Sequence, residues 1–227
     1  MSEELEVLKI VTQRLKEADI NYMVSGSIAA NYYTIPRMTR DIDVVIELKP
    51  DDIDKFIVLF EGDFYVNREM IADAVSREGM FNLIHNRYVI KIDFIIKKSS
   101  TYQQAAFSRR KQVLIEQSPI WFVSAEDLPE VGFEKDLQRG NTMNDTNPDV
   151  AVRFRDLMMH KSGEQRLLMG CSMYDTAKEI VRSAIYNSRP GITDAEIKRE
   201  IFLRFYGPEF SQADREKLLS ALEADSR

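Results

Sequence analysis

Asp41 and Asp43 stand one residue apart at the head of an apolar run, and Gly26 and Ser27 form a turn-like pair shortly before them. If residues 42–46 form a strand, side chains alternate between its faces and both carboxylates leave the same one. Like charges held so close repel each other unless a cation lies between them. Hard oxygen donors with room for phosphate favour Mg²⁺ in that role. The layout is that of a metal-dependent phosphoryl-transfer site, in which two ions roughly 3.5–4 Å apart would share the acids.

The flanking elements must deliver the remaining groups. Residues 6–18 read as an amphipathic helix, 22–24 as a short buried strand and 27–33 as a second helix, so Gly26 falls at a strand-to-helix turn. Glycine lets backbone approach a ligand closely, Ser27 can cap the helix or offer its hydroxyl, and a helix N-terminus presents free N–H groups to an anion. About fifty residues on, the apolar run that ends at Ile96 is interrupted by Lys91 and Asp93. Parity puts Lys91, Asp93 and Ile95 on one face of a strand. If that strand neighbours the one carrying Asp41 and Asp43, three carboxylates can hold two metal ions. Lys91 would then contact a nucleotide phosphate or pair with one of the acids. Arg37 and Arg40 suit phosphate neutralisation or a loop ion pair with Asp41. Thr39 suits a turn.

The pattern of Gly26-Ser27, then Arg37-x-Thr39-x-Asp41-Ile42-Asp43, then a lone Asp93 on a later strand resembles the nucleotidyltransferase superfamily typified by DNA polymerase beta. Within it, the chain is most similar to small bacterial nucleotidyltransferases related to the abortive-infection toxins of type IV toxin–antitoxin systems. The resemblance covers residues 1–128. It implies an α+β fold, a mixed β-sheet nucleotidyltransferase core with flanking helices. Asp41 and Asp43 would be metal ligands, Asp93 the third carboxylate, and Gly26 and Ser27 would lie at the phosphates, where Arg40 and Lys91 are the further candidates for nucleotide contact. The implied activity is transfer of a nucleoside monophosphate from an NTP to a hydroxyl on RNA, protein or a small molecule, with two Mg²⁺ ions. The alternative is a non-catalytic or restrained nucleotide-binding regulator, or a toxin–antitoxin component. A partner antitoxin or a homo-oligomer would fit either.

A chain of 227 residues with 44% hydrophobic content can bury a full core, which argues against disorder. Its net charge of −6 speaks against broad electrostatic binding to nucleic acid. The densest cationic cluster, Arg109, Arg110 and Lys111, is expected to be solvated, and would be the first candidate for a phosphate contact if the acceptor were RNA. Cys171 is the one cysteine, so no internal disulfide is possible. His85 and His160 show no metal-ligand spacing, and His160 is expected to face solvent. The start reads as an acidic helix and no run approaches membrane-spanning length, so a cytoplasmic location is expected.

Between the motifs, helices are expected at 51–60 and 70–77, strands at 63–66 and 112–116, and a hairpin joining 80–84 to 88–96. The chain changes character after Leu128. Pro129, Gly132, Gly140 and a polar string define a linker at 129–148, followed by a helical C-terminal region at 149–227. Ser162 to Gln165 and Thr193 to Glu196 read as capping boxes, and Ser211 as the cap of a last helix. Leu167, Leu168, Cys171, Tyr174, Ile180, Val181 and Ile185 form an expected packing stripe, with Cys171 packed. The stretch from Met143 to Leu222 resembles small uncharacterised bacterial helical proteins. The chain would then join a nucleotidyltransferase core to a module that stands alone elsewhere, and if that module covered the cleft it would act as a built-in restraint.

Overall fold

The computed structural model describes residues 2–128 and 147–224. Helix α1 (Glu3–Glu17) opens on Ser2, whose hydroxyl accepts the Leu5 N–H, and carries Glu3, Glu4 and Glu6 in its first turn, where the helix dipole favours acids. It leads to β1 (Tyr22–Val24), α2 (Gly26–Tyr33), β2 (Asp41–Ile46), α3 (Ile53–Phe60), β3 (Phe64–Tyr65), α4 (Arg68–Ser76), β4 (Met80–His85) and β5 (Ile90–Ile96). Then come α5 (Thr101–Ser108), β6 (Lys111–Ile115) and β7 (Ser118–Phe122). The chain resumes with α6 (Pro148–Met159), α7 (Gly163–Ser188), α8 (Asp194–Phe205) and α9 (Gln212–Ala224).

The strands of the described residues join one seven-stranded sheet in the order β3-β4-β5-β2-β1-β7-β6. It is mixed: β2 runs parallel to β5 and β1 parallel to β7, whereas the other pairs are antiparallel. The α+β architecture with a helical C-terminal region is therefore as expected. The inner strand β5 is buried apart from Ile95, and a one-residue slip would turn Lys91 and Asp93 onto the apolar face that Phe94 occupies, which fixes its register. On one face of the sheet Phe94 stacks on Phe81 at 5.3 Å and meets Phe56 edge-on at 5.2 Å, which fixes α3 across the centre.

The C-terminal helices do not form a separate core. Leu167, Cys171, Tyr174, Phe202, Phe205 and Tyr206 belong to the same buried cluster as the strands. Along α7, Arg166 donates to the Tyr32 carbonyl at 2.7 Å, Gly170 presses on Asn31, and Lys178 pairs with Glu3 at 2.6 Å. Both expected capping boxes are formed, at Ser162 and at Thr193.

Several expectations need correction. Helix α5 and strand β7 were not anticipated, and β7 completes the sheet beside β1. Ile180 does not join the packing stripe: it is 65% exposed, because the buried row runs through Tyr174, Lys178 and Ile185, and a residue two positions after Lys178 lies on the opposite side of the helix. The Arg109 cluster is exposed at Arg109 and Lys111, as expected, and it also has local partners: Arg109 pairs with Asp127 at 2.5 Å and Arg110 stacks on Phe107 and Trp121. The linker expected at 129–148 lies, except at its last two positions, outside the described residues.

Candidate active site

Residue-by-residue pairing of the parallel strands β2 and β5 sets Asp41 opposite Lys91 and Asp43 opposite Asp93. In a pleated sheet, paired residues point the same way, so these four side chains share one face. On the other side of β5, Asn82 of β4 is the register partner of Asp93 and extends the polar row. Apolar residues on the opposite face bury the sheet against helices, which leaves this row facing the cleft.

The turn between β1 and α2 closes against the row. Gly26 has φ +58°, a left-handed conformation that side chains disfavour, and a Cβ there would lie 1.8 Å from Asp43 Oδ2. The backbone therefore touches the carboxylate. The Ser27 N–H donates to that carboxylate, and the Ser25 N–H donates to the Asp43 carbonyl at 2.9 Å. Arg37 donates to Ser27 Oγ at 2.9 Å, and Thr39 donates to Asp41 Oδ1 at 3.2 Å, consistent with a turn role.

Lys91 lies at the centre of the acids. Its ammonium is 2.9 Å from Asp93 Oδ2, 3.5 Å from Asp41 Oδ2 and 2.6 Å from Glu209 Oε2. Burial disfavours its charge, but the hydrogen bonds to Glu209 and Asp93 and the charges of Asp93 and Asp41 outweigh this and hold its pKa above the ordinary lysine value. For Asp43, burial and then the charges of Asp41 and Asp93 push the carboxyl up to about 7. Burial also raises Asp93, against the opposing effect of Lys91. Asp93 Oδ1 and Asn82 Oδ1 are buried with no hydrogen-bond partner among the described residues. Crowded acids, raised carboxyls and orphaned oxygens are the chemistry of a site suited to a hard cation. Among the described residues no three His, Cys, Asp or Glu side chains close a metal shell by themselves. Mg²⁺ seldom requires that, because it keeps waters and takes substrate phosphates beside one or two carboxylates.

The C-terminal region contributes a wall, built from residues to which the sequence reading gave no part in the site. Tyr206, fully buried at the end of α8, donates its hydroxyl to the Arg40 carbonyl at 2.5 Å and lies 2.9 Å from the Tyr174 hydroxyl. Arg40 donates to the Phe205 carbonyl at 2.7 Å and to Glu209 Oε1 at 3.4 Å. Of the expected site residues, Asp41, Asp43, Asp93, Lys91 and Gly26 are brought into direct contact or shared register, Ser27 joins through its N–H, and Arg40 reaches Lys91 only through Glu209. Gly207 and Pro208 read in the sequence only as a helix stop, and no local signal marks Glu209 as a partner of Lys91, 118 residues away. Cys171 is buried as expected, with its thiol pushed up by burial and then by Glu4, and His160 is exposed.

A family model for Rv0078B-related antitoxins matches residues 159–224, a span that includes α7, α8 and α9. No curated protein matches the chain. Similar solved structures include a protein from Thermotoga maritima classed as a nucleotidyltransferase, 17% identical, with TM-score 0.40 over 70% of this chain and 94% of that one. Another is an antigenic nucleotidyltransferase-like protein from Paracoccidioides brasiliensis, 16% identical, with TM-score 0.41 over 81% of this chain and 93% of that one. A third is the lincosamide antibiotic adenylyltransferase LnuA with lincomycin bound, 12% identical, with TM-score 0.36 over 74% of this chain and 98% of that one. These likenesses are distant, and the chemistry must be argued from the side chains.

Proposed function

We propose that this chain is a Mg²⁺-dependent nucleotidyltransferase, which moves a nucleoside monophosphate from an NTP to a hydroxyl on RNA, protein or a small molecule. The observation that carries the reading is the parallel register of Asp43 with Asp93, with the Gly26 turn pressed against the Asp43 carboxylate. Asp41, Asp43 and Asp93 would hold the metal, which when bound supplies charge neutralisation for the triphosphate and the leaving pyrophosphate.

The protein's own groups account for the rest. An acceptor hydroxyl oxygen bonds to the α-phosphorus as the bond from that phosphorus to the bridging oxygen breaks, and pyrophosphate leaves. Asp93 Oδ1, which has no hydrogen-bond partner among the described residues, is available to take the hydroxyl proton, while Oδ2 stays fixed on Lys91. Lys91 and Arg40 supply cations for phosphate oxygens, and Gly26 lets the backbone come near them. Lys91 and Asp93 are buried and Asp41 and Asp43 half-buried, which strengthens these interactions relative to open water.

A second reading, a restrained nucleotide-binding component of a toxin–antitoxin type, is favoured by one observation. The segment matched by the antitoxin-related family includes Tyr174, Tyr206 and Glu209, the residues that wall the site. The two readings are compatible if the restraint is released. The test is incubation of the full chain with each α-³²P-labelled NTP and Mg²⁺, with and without total RNA or cell extract, beside an Asp41→Asn/Asp43→Asn control. Label on an acceptor that is lost in the control is the expected result. Label retained by the control refutes the assignment of these carboxylates.

A further inference from the structure

The two cations best placed to bind phosphate are both engaged by a single carboxylate. Glu209 sets Oε2 at 2.6 Å from the Lys91 ammonium and Oε1 at 3.4 Å from the Arg40 guanidinium. One oxygen on each of two cations is how a phosphate would be held. Glu209 comes from no element of the sheet. It ends the short turn Gly207–Glu209 after α8, inside the segment matched by the antitoxin-related family.

We propose that Glu209 is an internal competitor for the substrate phosphates: in the free protein its carboxylate occupies the position between Lys91 and Arg40 that a phosphate group of the NTP takes on binding. The proposal rests on the nucleotidyltransferase reading of the site and adds to it how the site is restrained. Three observations support it. First, the base of the turn is fixed while its tip is not. Tyr206 is fully buried and bound to the Arg40 carbonyl, and the Phe205 carbonyl accepts from Arg40, whereas the Glu209 side chain is 35% exposed and can swing aside without unpacking α8.

Second, the charge is already unfavourable for a further anion. Asp41 and Asp93 crowd Lys91, and Glu209 engages both Lys91 and Arg40, so a triphosphate entering beside an undisplaced Glu209 would have to share both cations with it. Third, the contact is the shortest that Lys91 makes to an acid, shorter than those to Asp93 and Asp41 on its own sheet face. A residue serving only to orient Lys91 toward those acids would not draw its ammonium away from them.

The experiment is calorimetric binding of inorganic tripolyphosphate in the presence of Mg²⁺ to the full chain, to Glu209→Gln and to Lys91→Gln/Glu209→Gln. Glutamine keeps the size of the side chain and removes its charge. The expected result is binding tighter by about tenfold or more in Glu209→Gln, the scale of losing one charge-assisted hydrogen bond. That gain should disappear in the double variant. Equal or weaker binding by Glu209→Gln overturns the competitor and makes Glu209 a positioning residue for Lys91. If neither the wild-type chain nor Glu209→Gln binds tripolyphosphate, the competitor is likewise overturned. Label transfer then decides the wider reading separately: transfer without this binding leaves the enzyme standing, and loss of both removes it.

Discussion

Replacing Gly26 by alanine tests the contact on which the site is built. The added methyl would lie 1.8 Å from Asp43 Oδ2, 2.5 Å from its Cγ and 2.9 Å from its Cβ, so rotating the carboxylate alone does not relieve the clash. At φ +58° alanine also meets the left-handed penalty of roughly 1–2 kcal/mol. Moving Asp43 away breaks its hydrogen bond from the Ser27 N–H, and a bond to a charged group is worth about 1.5–3 kcal/mol. Asp43 is crowded in the wild type by Asp41 and Asp93, and its displacement relieves part of that repulsion, so the lower half of the range applies. The expected loss is about 2–4 kcal/mol, read as a lower urea midpoint with an unchanged slope. Transfer should fall by about 10²-fold or more, the scale of losing one preorganised electrostatic group. Gly62→Ala is the control, because a Cβ there meets nothing within 4 Å, and its stability should stay level or rise by about 0.4–1 kcal/mol. If Gly26→Ala unfolds with Gly62→Ala and retains transfer, the close approach of turn and carboxylate is not what shapes the site.

Two further perturbations probe how the site is framed. Gly170→Ala sets a methyl 2.1 Å from Asn31 Nδ2, disturbing the buried amide that ties α2 to the Arg37 backbone, and should cost about 1–3 kcal/mol by urea unfolding. Asp127 is held below the usual carboxylate range first by Arg109 and also by Ser124, against the effect of burial. Because its folded pKa is lower than the unfolded value of about 3.9, its contribution is present above that value and is lost as pH falls through the folded one. Asp127→Asn should therefore be less stable than wild type at neutral pH and lose less stability on acidification, with stability measured from about pH 6 to pH 2. Parallel curves for the two proteins would remove Asp127 from the account.

Much of the site was legible because its signals are local. Asp-x-Asp at the start of a strand requires a shared face whatever the neighbours are, and an acid inside an apolar strand such as Asp93 has few places to go except a polar cleft. The capping boxes at Ser162 and Thr193 are likewise complete within four residues, and both formed. Helix α5 was missed because residues 101–108 carry only Ala106 and Phe107 as buried positions, too few for a periodic signal. Strand β7 was missed because Pro119 lies within it, a residue that argues against a strand unless the position is peripheral. Here it pairs with Leu114 of β6, the last strand of the sheet.

What the sequence determined by itself was the row of acids, the glycine turn ahead of it and the mixed order of strands and helices, since each follows from backbone periodicity and the chemistry of neighbouring residues. What only the tertiary structure decided was the company that Lys91 keeps. Its pairing with Asp41 depends on β2 and β5 lying parallel, and its contact with Glu209 depends on α8 packing its buried tyrosine against the Arg40 backbone. Such contacts join residues far apart in the chain, and nothing in either local segment encodes them: they arise when burial of Tyr174, Phe205 and Tyr206 brings the segments together.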